Sequence, residues 1–454
     1  MPRTPDVKMP DRDSLLARLA VPLDEVARCF PGPAAGRQPV HTVYGGAHLF
    51  RADIAPRLGE LARRALDEYA ADAAALGEVL TLDDLRLASM VRERVVRKLA
   101  REPVEDFRID FEDGYGQRAD AEEDGHARSA AAEMARGLAA GTLPPFCGLR
   151  VKTLSRELAP RALRTLELFT GALLDASGGR LPGGFVVTLP KIVHRTQVST
   201  RADALAALEE RHGLDEGALR LELMVETPQS IFAPDGSVAL PALVAAAGGR
   251  CVAAHFGTYD YTAALGVTAE HQRMAHPACD FAKSVMQVAL AGTGLWLSDG
   301  ATNVLPVPIH RPASDGAPLG GRESEANRRA VHAAWRLHAR DVRHSLATGF
   351  YQGWDLHPAQ LVTRFGALYA FFLPGLGAAG ERLRNFVASA AQATLVGEVF
   401  DDAATGQGLL NHFLRALACG AIDEEEALAR TGLTPAELAT RSFPRILESR
   451  RARA

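Results

Sequence analysis

The sequence predicts an α/β fold, a (β/α)8 TIM barrel with an N-terminal leader and a C-terminal helical extension. From residue 41 onward, short apolar or β-rich segments alternate with Ala/Leu/Arg/Glu-rich stretches long enough to form helices. Spacers of this length are typical of helical crossovers between parallel strands, and eight strands over about 320 residues match a closed barrel. A doubly wound open sheet is the alternative, because periodicity does not show whether a sheet closes.

The eight candidate strands are short runs bounded by turn residues. In chain order they are HTVYGG (41–46), FRIDFED (107–113), FCGLRVKT (146–153), GFVVTLPK (184–191), LELMVET (221–227), CVAAHFGTYD (251–260), LWLSD or NVLPVPI (295–309) and GFYQGWDLHP (349–358). The seventh strand thus has two candidate segments.

Three regions are expected: a leader over 1–40, the barrel over 41–374 and a helical extension over 375–454. The extension reads as helices only, and TPAE (434–437) begins one of them, with Thr434 as N-cap and Glu437 closing a capping box. GLGAAG (375–380) fits a dinucleotide-binding pattern, but it does not follow a strand, so we interpret it as a linker.

The composition is that of a globular protein and excludes several functional classes. With 454 residues, 47% of them hydrophobic, and a formal net charge of −4, the chain lacks the basic balance typical of nucleic-acid binding. Its five cysteines are scattered without a C-x-x-C pair, which argues against a zinc ribbon or a disulfide framework. Since the N-terminal residues contain no apolar signal-like run, we expect a cytoplasmic protein that binds neither nucleic acid nor membrane.

Charged residues stand at most of the predicted strand ends. Ligands of parallel α/β folds bind at these C-terminal ends, so the side chains there are candidates for one site. They are Asp110, Glu112 and Asp113 of the second strand, Arg150 and Lys152 of the third, Lys191 of the fourth, Glu226 of the fifth, Asp260 of the sixth, and Asp355 and His357 of the eighth. Asp355 and His357 are more typical of packing and turn residues.

The pattern indicates chemistry on a carbonyl compound. Carboxylates that converge on one face repel each other unless a cation joins them. Oxygen ligands without Cys or clustered His favour a hard ion, Mg²⁺ or Mn²⁺, which can chelate a 2-oxo acid and stabilise enolate charge. A nearby arginine offers paired donors to a substrate carboxylate. The rival mechanism is Schiff-base formation by Lys152 or Lys191.

Six segments carry a resemblance: IDFEDGYG (109–116), LRVKT (149–153), TLPK (188–191), VETP (225–228), FGTYDY (256–261) and GFYQGWDLHPAQL (349–361). In this order they resemble the HpcH/HpaI aldolase and citrate-lyase β-subunit superfamily, which includes malate synthase as a relative. The resemblance implies a TIM barrel of the phosphoenolpyruvate/pyruvate-binding type. It also implies Mg²⁺ bound by Glu226 and Asp260, with Arg150 on the substrate carboxylate. The implied roles of the remaining residues are support of the metal by the acidic loop of Asp110, Glu112 and Asp113, and substrate contacts from Lys191, Gly257 and Thr258.

A further segment in the extension, VFDDAATGQGLLNHFL (399–414), is similar to the malate-synthase segment that holds the catalytic base. This similarity implies that Asp402 removes a proton from a CoA thioester, whereas the alternative is that Asp402 only caps the helix that follows. Relatives are commonly trimers or hexamers, so we expect a homo-oligomer.

Three positions depart from the family pattern. Gly114 stands where a small hydroxyl residue is frequent, GGAHLF (45–50) stands where many relatives have a Val-Pro-Gly turn, and Tyr259 replaces a tryptophan of malate synthases. We predict a Mg²⁺-dependent carbon–carbon lyase or aldolase that acts on a 2-oxo acid or hydroxyacyl-CoA through an enolate. The alternatives are a malate-synthase-like condensation of acetyl-CoA with a 2-oxo acid, and a non-catalytic barrel that binds such ligands.

Overall fold

The structure is a computed structural model that describes residues 11–34, 36–312, 318–388, 394–396, 399–401 and 403–452. Eight parallel strands close into a barrel in chain order, and the last strand pairs with the first. The strands are β1 (His41–Gly46), β2 (Asp106–Asp110), β3 (Phe146–Arg150), β4 (Val186–Leu189), β5 (Arg220–Val225), β6 (Cys251–Phe256), β7 (Trp296–Ala301) and β8 (Gln352–Asp355). The predicted TIM barrel is confirmed, and the open sheet is excluded.

The structure resolves the choice between the two candidate seventh strands. The segment from Trp296 forms the strand, whereas NVLPVPI follows it as an irregular loop with Val304 and Ile309 exposed. Pro306 and Pro308 remove backbone donors from that segment, which makes it unsuitable for the interior of a sheet.

Helices surround the barrel and continue beyond it. They are α1 (Arg12–Cys29), α2 (Ile54–Tyr69), α3 (Ala73–Leu80), α4 (Leu85–Arg101), α5 (Asp120–Ala140), α6 (Ala159–Ser177), α7 (Arg195–His212), α8 (Pro228–Ile231), α9 (Leu240–Ala246), α10 (Thr258–Ala264), α11 (Pro277–Leu290), α12 (Gly321–Ala347), α13 (Gln360–Phe372), α14 (Leu376–Ala388), α15 (Ala403–Ala418), α16 (Glu424–Thr431), α17 (Pro435–Ala439) and α18 (Phe443–Arg451). The main hydrophobic core lies between the outer faces of the strands and these helices, and α13 is almost completely buried in it.

The C-terminal extension is not built of helices only, so that prediction is wrong in one place. A short antiparallel pair, β9 (Thr394–Val396) and β10 (Val399–Asp401), precedes α15. Three-residue strands are too short for their alternation to stand out in a sequence. The linker interpretation of GLGAAG is also wrong, because Gly375 turns the chain with φ = 77° and α14 begins at the next residue.

The predicted capping box at the start of α17 is confirmed. The backbone N–H of Glu437 donates to Thr434 Oγ1 at 3.2 Å, and the backbone N–H of Thr434 donates to Glu437 Oε2 at 2.9 Å. Two of the backbone donors at this helix end are therefore satisfied by side chains.

The leader contributes to the N-terminal end of the barrel. Helix α1 buries none of its residues, but the segment after it crosses the barrel end: Gly32 N–H donates to the Gly292 carbonyl at 2.8 Å, and Gln38 Nε2 donates to the Leu297 carbonyl at 3.0 Å. Within the described ranges no single helix is long and apolar enough to cross a bilayer. The α13–α14 pair, bent by 45°, meets the criterion by length and composition only.

Candidate active site

Arg150 and Asp110 form the centre of the site at the C-terminal mouth of the barrel. The register of β2 and β3 places the two residues side by side. Arg150 Nε donates to Asp110 Oδ1 at 2.8 Å and Nη2 donates to Oδ2 at 2.6 Å, a bidentate pair in a buried position. The remaining terminal nitrogen, Nη1, lies 3.1 Å from Glu112 Oε2. Asp110 therefore fixes the plane of the guanidinium and leaves one edge for other partners.

Two aromatic side chains hold the face of the same guanidinium. Its carbon lies 4.7 Å from the ring centroid of Tyr44 and 5.9 Å from that of Trp354, and the two rings are 4.6 Å apart. Tyr44 is on β1 and Trp354 on β8, the neighbouring strands across the barrel closure. Sequence reasoning missed both residues, and their inward position on predicted strands is the only signal that could have suggested them.

The acidic loop after β2 is tied to Asp110. The backbone N–H groups of Glu112 and Gly114 donate to Asp110 Oδ1 and Oδ2 at 3.0 and 2.7 Å. A Cβ atom on residue 114 would lie 2.6 Å from Asp110 Oδ2, which is closer than real side chains approach. The departure from the family pattern at Gly114 thus has a steric reason: the loop folds tightly over the aspartate.

Lys191 lies among the carboxylates of the mouth. Its backbone has φ = 50°, and its N–H donates to Glu226 Oε1 at 2.6 Å. Its ammonium bonds to Glu112 and, at 2.9 Å, to Asp113 Oδ2, and it lies 3.6 Å from Asp260 Oδ2. Burial alone would lower the pKa of Lys191, but the carboxylates of Glu112 and Glu226 raise it above its usual range. Lys191 is therefore a cation at neutral pH.

Glu226 is almost fully buried at the end of β5, near the carboxylates of Asp260 and Glu112. Burial, followed by repulsion from Asp260 and Glu112, raises its pKa to about 8. A Cβ atom on Gly257 would lie 2.5 Å from Glu226 Cβ and 2.6 Å from its Oε2, so only glycine fits beside this carboxylate. The carboxylates of Glu226, Asp260 and Glu112 lie close enough to repel one another, an arrangement that a cation would stabilise.

The carboxylates of the mouth have the donor chemistry that a magnesium ion would need. Among the described residues no group of three or more His, Cys, Asp or Glu is arranged to enclose a metal. Mg²⁺ nevertheless is commonly held by one or two carboxylates plus water and substrate oxygens. Glu226, with its raised pKa, and the partly exposed Asp260 provide such a pair, and their oxygen donors match a hard ion.

Four residues that the sequence placed near the site have other partners. Lys152 is buried, and its Nζ bonds to Glu123 Oε2 at 2.6 Å and to the Phe111 carbonyl at 2.8 Å. Asp355 is buried against Arg364, His338 and His41. His357 Nδ1 accepts the backbone N–H of Ala359 at 3.2 Å, and the Thr258 hydroxyl faces the Met274 sulfur at 3.5 Å. These contacts are those of packing and turn residues, as expected for Asp355 and His357.

One further position, Tyr259, lies at the edge of the site. Tyr259 donates its hydroxyl to the Ala301 carbonyl at 2.9 Å and accepts the Asn303 N–H at 3.0 Å, so it ties the loop after β6 to the end of β7. Asp402, the expected catalytic base, lies outside the described residues.

Three solved structures are similar to this chain over most of its length. A citrate lyase from Burkholderia xenovorans LB400 aligns with a TM-score of 0.55 and 18% identity over 88% of this chain and 97% of that chain. The malate synthase of Haloferax volcanii, in its pyruvate/acetyl-CoA ternary complex, aligns with a TM-score of 0.44 and 15% identity over 88% and 98%. An HpcH/HpaI aldolase/citrate lyase family protein from Burkholderia cenocepacia J2315 gives 0.39 and 12% over 76% and 95%.

At such identities the likeness to the citrate lyase shows a shared fold, which agrees with the barrel described above. A comparison with curated proteins finds no match. A family model described as a domain of unknown function, DUF6986, matches residues 21–446, and the chain belongs to this family.

Proposed function

We propose that the protein is a Mg²⁺-dependent carbon–carbon lyase or aldolase that cleaves or forms a bond next to the carbonyl of a 2-oxo acid or hydroxyacyl-CoA. The observation that carries the proposal is the meeting of Glu226 and Asp260 with the Arg150 guanidinium at one barrel mouth. Carboxylates for a hard cation beside a fixed guanidinium are the parts that a carbonyl-containing acid needs for binding.

Arg150 binds the substrate carboxylate in this proposal. Its Nε and Nη2 are held by Asp110, and its flat face is held by Tyr44 and Trp354. Only the Nη1 edge, next to Glu112, remains for a ligand. Because the guanidinium is already oriented, little conformational entropy is lost when the substrate binds.

Lys191 and the metal ligands act on the carbonyl side of the substrate. Glu226 and Asp260 would hold the ion, and Mg²⁺ supplies positive charge that stabilises a developing enolate oxygen. The Lys191 ammonium, held by Glu112 and Asp113, adds a second fixed positive charge near the same point. For a CoA-dependent reaction we propose Asp402 as the base that removes the proton.

The proposal is tested with purified protein, Mg²⁺ and two panels of compounds, 4-hydroxy-2-oxo acids and 3-hydroxyacyl-CoA thioesters. Release of pyruvate, aldehyde or acyl-CoA that disappears with EDTA supports it. Thiol release from acetyl-CoA and glyoxylate would instead assign the condensation reaction. Thermal stabilisation by Mg²⁺ and pyruvate without turnover of any compound would contradict an enzyme and favour a binding protein.

In the condensation assay, the Asp402→Asn variant tests whether Asp402 is the base that removes the proton. Loss of thiol release with unchanged Mg²⁺ binding would support its role in proton removal. Unchanged thiol release would show that Asp402 is not the base.

A further inference from the structure

Helix α1 carries an apolar row that the described part of the chain leaves uncovered. The row consists of five large apolar side chains, spaced alternately three and four residues apart and each about half exposed: Leu16, Leu19, Leu23, Val26 and Phe30, the last of which directly follows the helix. Apolar residues at this spacing form one stripe along a helix, and such a stripe is the seam of a coiled coil. Helix α1 therefore has the pattern of a packed helix but buries none of its residues.

Charged residues of α1 lie away from this row. At 100° per residue, each of the four charged residues that follow the first turn is more than a quarter of a turn from the centre of the row: Arg18, Asp24, Glu25 and Arg28. The row can therefore be covered by a partner without the burial of these charges.

The helix needs contacts beyond its own hydrogen bonds. Isolated helices of about this length are only marginally stable in water, because most helical stability in proteins comes from the packing of an apolar face. Pro22 lies inside α1 and removes one of its backbone hydrogen bonds. A helix with an interior proline and an uncovered apolar row is therefore expected to pack against a partner.

One end of α1 is fixed to the barrel. The backbone N–H of Gly32 donates to the Gly292 carbonyl at 2.8 Å, in the turn before β7. Phe30 lies beside the same turn, since a Cβ atom on Gly292 would be 3.5 Å from the Cβ atom of Phe30. The row is thus presented at the N-terminal end of the barrel, opposite to the candidate active site, where a second molecule can reach it.

The apolar row is complementary to itself when two copies of α1 run in opposite directions. With a two-fold axis near Val21, Leu16 lies level with Val26 of the second copy, and Leu19 lies level with Leu23 of the second copy. Every layer of such a pair joins two large apolar side chains, so the same surface of both copies is covered.

Two charged residues favour this antiparallel arrangement. Arg18 and Glu25 lie on the same side of the row, and the alignment places Arg18 of one copy nearly level with Glu25 of the other. A parallel pair in register would separate these two residues by about 10 Å along the helix axis. Opposite charges therefore meet, twice by symmetry, only in the antiparallel pair.

We propose that α1 binds α1 of a second copy of this chain in an antiparallel, two-fold contact. The contact makes the protein a dimer, or an even-numbered assembly if other surfaces also associate. Because it lies at the end of the barrel opposite to Glu226 and Arg150, it does not depend on the proposed activity.

Sedimentation velocity over a concentration series tests the proposal with the full-length chain. Leu19→Glu and Leu23→Glu each place a charge in the row and should raise the dissociation constant of the pair by about tenfold or more. Val21→Glu is the matched control on the opposite face of the same helix, where Val21 is 74% exposed, and it should assemble like the wild type.

A charge exchange tests the antiparallel direction. Arg18→Glu should weaken the association, because it places a carboxylate beside Glu25 of the second copy. The double variant Arg18→Glu/Glu25→Arg should restore the association. Both residues are exposed and lie two helical turns apart, so recovery reports a contact between copies and not one within a helix.

Three outcomes would overturn the proposal. They are a monomeric or odd-numbered wild type, unchanged association of both Leu19→Glu and Leu23→Glu, and a double charge variant that associates no better than Arg18→Glu. Circular dichroism establishes that each variant is folded. If a glutamate variant does not fold, Leu23→Ala carries the test, since alanine keeps the helix but removes most of one apolar contact.

Discussion

Lys191 and Glu226 are joined through the main chain: the backbone N–H of Lys191 donates to Glu226 Oε1 at 2.6 Å. The left-handed φ of Lys191, 50°, is unfavourable for a residue with a side chain. This conformation directs the N–H towards Glu226 while the ammonium reaches Glu112, Asp113 and Asp260. One strained residue therefore contacts four carboxylates of the candidate site, and its strain is offset by those contacts.

The surroundings of the two strand-end lysines predict the outcome of a Schiff-base test. A lysine must be neutral to attack a carbonyl, but Lys191 is held as an ammonium by three carboxylates and Lys152 is paired with Glu123. We expect borohydride reduction in the presence of pyruvate to leave no adduct on either residue, as read by peptide mass spectrometry. A class I aldolase treated in parallel shows that the reduction works. A reduced adduct on Lys191 or Lys152 would replace the metal mechanism by an imine mechanism.

Glu226→Gln should separate two effects of the Glu226 carboxylate: its repulsion of neighbouring carboxylates and its proposed binding of Mg²⁺. Because burial and the neighbouring Asp260 and Glu112 raise the pKa of Glu226 to about 8, removal of its charge relieves repulsion above that pH, and there the metal-free variant should unfold at a higher temperature than wild type. The stabilisation that Mg²⁺ gives to the wild type should weaken, with an affinity lower by about 10- to 100-fold.

Differential scanning fluorimetry over a Mg²⁺ series measures both effects, and Glu60→Gln on the exposed face of α2 is the control. Equal Mg²⁺ responses of wild type and Glu226→Gln would show that Glu226 is not a ligand.

The contacts of Arg150 show how far the sequence could predict this site. Ends of parallel strands meet at one mouth, so the proximity of Asp110 and Arg150 follows from the strand assignment alone. The bidentate pairing, and the stacking of Tyr44 and Trp354 on the guanidinium, depend on strand register and side-chain rotamers. Periodicity carries no information on either property, so these contacts could not be predicted.

The fold was predictable to the same extent: the sequence pattern predicts the barrel, but it does not predict every strand. The barrel and the start of β1 at His41 follow from alternating segments, but the sequence left two candidates for β7. It also missed the short β9–β10 pair, since three-residue strands have no measurable period. Lys152 lies at a predicted strand end, yet it pairs with Glu123 of α5, because the residues after a strand leave its regular alternation.

Gly257→Ala should lower activity without unfolding the protein. The added methyl would lie 2.5 Å from Glu226 Cβ, so the carboxylate has to move, and a displacement of this kind reduces catalysis by about 100-fold. Gly125→Ala in α5 is the matched control: its methyl meets no atom within 4 Å, and it should stabilise the helix by about 0.5–1 kcal/mol. Steady-state kinetics and thermal unfolding of both variants measure the difference. Normal turnover by Gly257→Ala would show that activity does not depend on the position of the Glu226 carboxylate.

The lowered pKa of Glu102, at the end of the barrel opposite to the candidate active site, predicts how the free energy of unfolding changes with pH. Burial alone would raise its pKa, but hydrogen bonds from Arg37 and Lys98 lower it to about 2, below the ordinary value of 4.5. For an acid with a lowered pKa, the stabilisation is present above the unfolded pKa and is lost as pH falls from about 4.5 towards 2. After a discount for solvent screening, we expect the Glu102 carboxylate to contribute about 1–2 kcal/mol to the free energy of unfolding. Glu102→Gln should therefore unfold more easily than wild type in urea at pH 7, with the difference shrinking at pH 3. Equal differences at both pH values would show that its charge does not stabilise the junction between Arg37 of the leader and α4.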